Sequence, residues 1–184
     1  EMALTPRPSG EASSFAAGPL IAWKSSHRFD SRNGDVMNDH DERHEVFQEM
    51  IREHEELREL LGKVNQLTTD RTAPASEVQE AITSLSQHIQ THFDAEESGG
   101  YFAEAVIQAP RVSERVAALE AQHVNLREQL AKIAEFVGAF EATSDQWKEL
   151  GEHVHRFSKD LMHHEAKENE LLQDVLTDDI GSKA

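Results

Sequence analysis

The stretch WKELGEHVHRFSKDLMHHEAKENELL, residues 147–172, shows the pattern that decides the fold. Apolar residues recur in alternating steps of three and four, the spacing of a helix that packs one face against neighbouring helices. We call such a row of inward positions a seam. Two seam positions in this stretch are polar, His164 and Glu168, and they lie one helical turn apart. The stretch therefore predicts a packed helix that carries a histidine and a glutamate into its own core.

Three earlier segments have the same period. The predicted helices run from about residue 41 to 67, from after Pro74 to about Gln108, from Pro110 to about Phe140, and from Thr143 to about 176. Ser76 with Gln79 and Thr143 with Gln146 have the spacing of helix-capping boxes, and Gly99–Gly100 should distort the second helix. In chain order, the seams are Phe47, Met50, His54, Leu57, Leu61, Val64; Val78, Ile82, Leu85, Ile89, His92, Glu96; Val116, Leu119, His123, Leu126, Leu130, Ile133, Val137; and Trp147, Leu150, Val154, Phe157, Leu161, His164, Glu168, Leu171, Val175.

Long helices joined by short connections predict an all-α fold, an up-down-up-down antiparallel four-helix bundle over residues 41–178. Residues 1–40 differ in character, because they hold three of the five prolines and show no sustained period. We expect this segment to be a poorly structured, disordered N-terminal tail.

Composition excludes several classes of partner and site. The chain of 184 residues carries a net charge of −17, which disfavours nucleic acid and anionic membranes as partners. It has no cysteine, so disulfides and thiolate metal sites are excluded. No apolar run is long enough to cross a membrane or to form a signal peptide with a basic start. A cytoplasmic location is the expectation.

Six seam positions are polar, and we expect their side chains to meet at one depth of the bundle. They are His54, His92, Glu96, His123, His164 and Glu168. In an up-down bundle, the starts of the first and third helices lie at the same end as the ends of the second and fourth. The four histidines lie about 12 to 16 residues from that end, and at about 1.5 Å per residue these depths agree within roughly one helical turn. Each helix contributes one histidine, and only the second and fourth add a glutamate.

These six residues belong to an internal repeat. HEELRELL (54–61) and HVNLREQL (123–130) share the pattern H-x-x-L-R-E-x-L, and HFDAEE (92–97) matches HEAKEN (164–169) in its histidine and glutamate. A pair of helices repeated twice predicts a bundle with approximate two-fold symmetry and two equivalent half-sites.

A metal pair explains the polar seam best. Two facing buried carboxylates repel, and no lysine or arginine occupies a seam position to neutralise them. Histidine and carboxylate ligands inside a helical bundle are typical of non-haem iron or manganese. The sequence therefore predicts two divalent or trivalent cations, either iron or manganese. A bundle whose core histidines are structural and hold no metal is the competing interpretation.

Other polar and aromatic residues near the seams have plainer interpretations. His88 precedes His92 by one turn; a surface position is expected, with a fifth histidine ligand as the alternative. Glu97 and Glu165 should point away from the seam into solvent. Arg58 and Arg127 should form solvated pairs with acids such as Glu59 or Glu128, with pairing between helices or behind the ligands as the alternative. Surface positions are expected for His40, His44, His153, His155 and His163, and core packing for Tyr101 and Phe102.

At its polar motifs the sequence resembles the hemerythrin-like, or HHE cation-binding, family. The matching pieces are REHEELRELL (52–61), THFDAEESGGYF (91–102), LEAQHVNLREQL (119–130) and MHHEAKENELL (162–172), and the resemblance covers about residues 44–176. It implies a four-helix bundle around a non-haem di-iron centre with carboxylate bridges. Position by position it implies that the six polar seam residues are the metal ligands.

The resemblance also bears on function. Oxygen-carrying hemerythrins place a second histidine one turn after the third-helix histidine, where this chain has Arg127. This departure argues against reversible oxygen carriage. We expect a binding protein for O2, NO or a related small oxidant, in sensing, storage or stress defence. The alternatives are a di-iron oxidase or peroxidase, or a protein that repairs iron–sulfur clusters, although the cysteine-containing segment common in repair proteins is absent.

Overall fold

Helices make up nearly all of the structure, a computed structural model that describes residues 36–98 and 101–181, and their side chains over 48–98 and 101–175. No strand occurs in these ranges. In chain order, the helices are α1 (Val36–Asp70), α2 (Ala75–Ser98), the short α3 (Tyr101–Gln108), a 3-10 helix (Pro110–Val112), α4 (Ser113–Gly138) and α5 (Ser144–Gly181).

The four long helices form a closed ring of neighbours. Helix α1 packs against α2 and α5, and helix α4 packs against the same two. The short helix α3 contacts α2, α4 and α5, and the 3-10 helix joins α3 to α4. Because each long helix has two long neighbours, every seam faces a common interior. The all-helical fold predicted from the sequence is confirmed.

Several helix boundaries differ from the predicted ones. Helix α1 begins at Val36, several residues before the predicted start at 41. Helix α2 ends at Ser98 and helix α3 begins at Tyr101, on either side of two residues that lie outside the described ranges.

One of the two predicted capping boxes is present. Thr143 Oγ1 accepts from the backbone N–H of Gln146 at 3.3 Å, and Gln146 Oε1 accepts from the N–H of Thr143 at 3.3 Å. The other prediction is wrong. Helix α2 already begins at Ala75, so Ser76 lies inside its first turn, and the Gln79 side chain instead donates to the Val137 carbonyl at 2.9 Å. That bond ties α2 to the end of α4.

The predicted seams form the core. Every seam residue whose side chain the structure describes is buried, with a relative exposure of 8% or less. A large apolar cluster is formed by the four long helices, from Leu57 and Phe93 at one side to Val137 and Trp147 at the other. A small apolar cluster is formed by α3, the 3-10 helix and parts of α4 and α5 around Phe102. The six polar seam residues, which we call the polar layer, lie between the two clusters.

Several expectations fall outside the described residues. They concern the tail before Val36, the side chains of His40, His44 and Phe47, and Gly99–Gly100. None of the helices in the described part of the chain is long and apolar enough to span a membrane.

Candidate metal centre

The polar layer is completely enclosed by the bundle. Its six residues have relative exposures between 0 and 3%. Their donor atoms form two groups, within each of which all ligand atoms lie within 4.8 Å of one another. One group contains His54 and His92, the other contains His123 and His164, and both contain Glu96 and Glu168. The structure thus brings together all six residues that the sequence singled out.

The two glutamates lie between the two histidine pairs. Glu96 Oε1 is 3.3 Å from His92 Nε2, whereas its Oε2 is 3.2 Å from His123 Nε2. Glu168 Oε2 is 3.3 Å from His54 Nε2, and its Oε1 is 2.7 Å from His164 Nε2. Each carboxylate therefore presents one oxygen to each histidine pair, which is the orientation that a carboxylate needs to bridge two cations.

Burial and mutual repulsion make the two carboxylates inequivalent. Burial, together with the charge of Glu168, raises the pKa of Glu96 above its ordinary value. Burial alone would raise the pKa of Glu168 as well, but the close approach of His123, His164 and His54 outweighs it and holds that pKa well below the usual range. Without a cation, the layer therefore favours one anionic glutamate surrounded by imidazoles.

Two of the four histidines are backed by a carboxylate on a neighbouring helix. His92 Nδ1 donates to Glu53 Oε2 at 3.0 Å, and His123 Nδ1 donates to Glu97 Oε1 at 2.8 Å. Burial alone would lower the pKa of both imidazoles. Their carboxylate neighbours reverse this effect, raising the pKa of His92 above its ordinary value and that of His123 to about 9.

The donor atoms of the layer suit a cation better than they suit one another. Among the described residues, hydrogen-bond partners are lacking for both oxygens of Glu96 and Glu168, both ring nitrogens of His54, Nε2 of His92 and Nδ1 of His164. In addition, His123 Nε2 and His164 Nε2 face each other at 2.9 Å. Buried acceptors left unpaired are costly. Carboxylate oxygens and imidazole nitrogens are ligands of divalent metals, so the residues present fit metal ions.

The arginines flanking the layer do pair with acids on other helices, but not with the acids that we predicted. Arg58 Nε donates to Glu165 Oε2 at 3.0 Å, and Arg127 Nη1 donates to Glu97 Oε1 at 2.8 Å. The expectation that Glu165 lies in solvent is wrong, because its side chain is only 3% exposed. Glu97 is 30% exposed but also contacts His123, so it is not simply a solvated side chain.

Aromatic rings line one side of the layer. Phe93 stacks on His123 with ring centroids 3.9 Å apart, and Phe102 stacks on the same imidazole at 5.7 Å. The guanidinium of Arg127 lies over Phe93 at 5.2 Å. Phe102 is buried in the small apolar cluster, as predicted. Tyr101 packs against that cluster, but its buried hydroxyl has no hydrogen-bond partner in the described part of the chain, and burial with the Glu96 and Glu168 charges raises its pKa.

The four other histidines whose side chains the structure describes lie away from the layer. His88 is 31% exposed, and its Nε2 lies 3.5 Å from Glu56 at the edge of the bundle, so it belongs to neither group of metal-ligating atoms. His155 and His163 are exposed and His153 is half-exposed, as predicted.

Glu53 and the role of Glu97 were missed by the sequence reasoning. Each lies one residue before or after a seam position, at the flank where side chains reach the next helix. The sequence does contain an indication of this role. An acid at such a flank, next to a predicted ligand, can accept a hydrogen bond from a histidine on the adjacent helix. The sequence alone does not decide whether such an acid contacts the histidine or solvent, because this depends on which helix is adjacent and how that helix is rotated.

Comparison with known families agrees with the geometry. Residues 35–105 match the family model described as the Hemerythrin HHE cation binding domain. The matched segment contains three residues of the layer, His54, His92 and Glu96. No curated protein and no solved structure matches the chain. The hemerythrin-like resemblance is thus confirmed over the first part of the bundle, and the buried histidine–glutamate cluster is compatible with metal binding.

Proposed function

We propose that the polar layer holds two metal ions. His54 and His92 would bind one ion, His123 and His164 the other, and both glutamates would bridge the pair. The observation that carries this proposal is the orientation of Glu96 and Glu168, each of which presents one oxygen to each histidine pair. Two cations would also satisfy the unpaired carboxylate oxygens.

We propose that the ions are iron. The layer offers imidazole and carboxylate donors and no thiolate, a donor set that suits non-haem iron and, second, manganese. The family match supports the same choice, because it covers half of the ligand set. Iron would supply a redox-active centre able to bind a small oxidant.

The surroundings of the layer support a small ligand, O2, NO or a related oxidant, as the molecule bound. Apolar residues border the layer on both sides and exclude water, so only a small, weakly hydrated molecule can share the interior with the donor atoms. The chain's own residues hold the two ions together, orient the imidazoles and keep the site dry. We propose a binding protein for sensing, storage or stress defence.

One observation favours a second candidate function, an oxidase or peroxidase using the same centre. The buried hydroxyl of Tyr101 has no partner among the described residues and senses the charges of both bridging carboxylates. Its raised pKa keeps this hydroxyl protonated, so it is a hydrogen-bond donor that simple storage of a ligand does not require. The two candidates differ in turnover, since a binder forms a stoichiometric adduct and an oxidase consumes O2 repeatedly when a reductant is supplied.

We also propose the up-down-up-down arrangement of the four long helices. The connection between α1 and α2 spans only residues 71–74, and that between α4 and α5 only residues 139–143. Short connections between helices that pack side by side support opposite directions for each of these two pairs.

Metal analysis of the purified chain, with optical spectra before and after exposure to O2 and NO, tests the function. We expect about two iron ions per chain and spectral changes with at least one of the gases. Repeated O2 consumption with a reductant would identify the enzymatic alternative, and a chain without metal whose stability is unaffected by chelator would contradict the proposal.

A double variant tests the assignment of the two glutamates as metal ligands. Replacing both bridging carboxylates (Glu96→Ala with Glu168→Ala) should abolish metal uptake, because each ion loses two oxygen donors. The matched control replaces two acids outside the layer, Glu56→Ala with Asp94→Ala, and should bind metal as the wild type does. Normal iron binding by the first double variant would show that the site lies elsewhere.

A further inference from the structure

Two carboxylates outside the proposed ligand set fix the direction of two imidazoles. Because a carboxylate can only accept, the hydrogen bonds to Glu53 and Glu97 place a proton on Nδ1 of His92 and of His123. The other ring nitrogen, Nε2, then faces Glu96, at 3.3 Å from His92 and 3.2 Å from His123. Each imidazole is therefore held with Nε2 towards the interior of the layer.

This carboxylate support is divided evenly between the two groups of donor atoms. The first group pairs the supported His92 with His54, and the second pairs the supported His123 with His164. In the described part of the chain, Nδ1 of both His54 and His164 lacks a hydrogen-bond partner. Each group thus contains one imidazole with a carboxylate behind it and one without.

The internal repeat explains why only two histidines are supported. In the second half of the chain, Gln122 precedes His123 as Glu53 precedes His54, and Asn169 follows Glu168 as Glu97 follows Glu96. The repeat therefore has acids at these positions in its first copy and neutral amides in its second. Gln122 donates to the Ala118 carbonyl of its own helix at 3.0 Å, so its amide group serves a local contact.

We propose that Glu53 and Glu97 are positioning residues for the metal centre, one for each ion, which hold His92 and His123 with Nε2 available for coordination. The proposal rests on the metal centre proposed above and adds residues outside its ligand set. A carboxylate behind a ligating imidazole fixes its tautomer and ring orientation and strengthens it as a ligand, and its loss typically weakens metal binding by about 10–100-fold.

The chain offers a matched control for each acid. Glu56 lies on the same helix as Glu53, less than a turn away, and its Oε2 lies 3.5 Å from His88 rather than against a layer residue. Asp94 contacts Arg127 at 3.1 Å, as Glu97 does at 2.8 Å, but makes no contact with His123. Both positioning acids are about one-third exposed, so replacing them leaves the core intact.

The experiment titrates Co²⁺ into the full chain against a competing chelator and follows its optical bands. We expect Glu53→Ala to weaken one of the two sites by about 10–100-fold and Glu97→Ala to weaken the other, while Glu56→Ala and Asp94→Ala titrate like the wild type. The two-site pattern is the decisive readout, because a general loss of stability would weaken both sites together.

A second measurement reads the tautomers directly. In the Zn²⁺-loaded chain with nitrogen-labelled histidine, NMR should show slowly exchanging Nδ1 protons on His92 and His123, lost singly in Glu53→Ala and Glu97→Ala. If both variants bind Co²⁺ like their controls, the positioning role is wrong while the metal centre stands. If the wild type takes up neither Co²⁺ nor iron, the metal centre itself is wrong, and the positioning role falls with it.

Discussion

The large apolar cluster and the polar layer are neighbours along the same four helices, and both exclude solvent. Leu150 in the cluster and His123 in the layer are each 0% exposed. The cluster satisfies itself, because apolar side chains need only contact one another. The layer contains buried donor and acceptor atoms that lack partners among the described residues. The two regions are equally buried but depend differently on the surroundings. The cluster should stabilise the bundle under all conditions, whereas the contribution of the layer to stability should depend on bound cations and on pH.

The largest expected effect is stabilisation of the bundle by metal. A ligand present at 1,000 times its dissociation constant stabilises the folded state by about 4.1 kcal/mol per site, so two ions should raise the free energy of unfolding by roughly 8 kcal/mol. Urea unfolding with iron or with chelator, under anaerobic conditions, measures the difference. The double variant Glu96→Ala with Glu168→Ala should show no such difference. If metal still stabilised that variant, the stabilisation would not come from metal bound at the layer.

A substitution in the large apolar cluster should have a smaller effect on the free energy of unfolding, and this effect should not depend on metal. Leu150→Ala should lower the free energy of unfolding by about 2–5 kcal/mol, because it opens a cavity at a fully buried position. The loss should be the same with chelator and with metal. Val124→Ala is the control, since Val124 is 57% exposed and its replacement should cost less than about 0.5 kcal/mol. A Leu150→Ala loss that changes with metal would mean that the two regions are coupled.

The two states of the layer should respond oppositely to pH. In the metal-free chain, the raised pKa of His123 (about 9) means that the folded state holds a proton which the unfolded state releases. The stability due to protonated His123 is fully present below its ordinary pKa of about 6.5 and is lost as the pH rises through about 9.

Stability of the metal-free chain should therefore fall between about pH 6.5 and 9, by up to about 1.4 kcal/mol per pH unit for each proton released. The loaded chain should instead gain stability as the pH rises from 5 to 7, because protons compete with metal for the histidines. Unfolding midpoints measured across pH with and without metal test this reversal, and parallel curves would contradict it.

The smallest effect concerns the Tyr101 hydroxyl. Removing an unpaired buried hydroxyl relieves its desolvation cost, so Tyr101→Phe should raise the stability of the metal-free chain by about 1 kcal/mol. Tyr101→Leu is the control, because it removes the ring as well and should destabilise the chain. Thermal unfolding with chelator measures both variants. A loss of stability in Tyr101→Phe would reveal a hydrogen-bond partner for this hydroxyl.

The sequence predicted the seams and the meeting of the six polar residues because both depend on a single periodic property. A residue at a seam position faces the interior whichever helix lies opposite, so His54 and Glu168 were placed without knowledge of their neighbours. The flanking contacts depend on more. Glu165 and Glu97 both follow a seam residue, yet one is buried against Arg58 and the other bridges His123 and Arg127. Their partners are set by which helix is adjacent and how it is rotated, which periodicity does not specify.

The enclosure of the layer has a consequence for how an ion would reach it. Each of its six residues is at most 3% exposed, and two surface grooves along the described residues are lined by other side chains. An ion can therefore exchange with the surrounding solution only when helices move apart. Loading and release should be slow, with rates set by breathing of the bundle rather than by diffusion, and sub-denaturing urea should accelerate both.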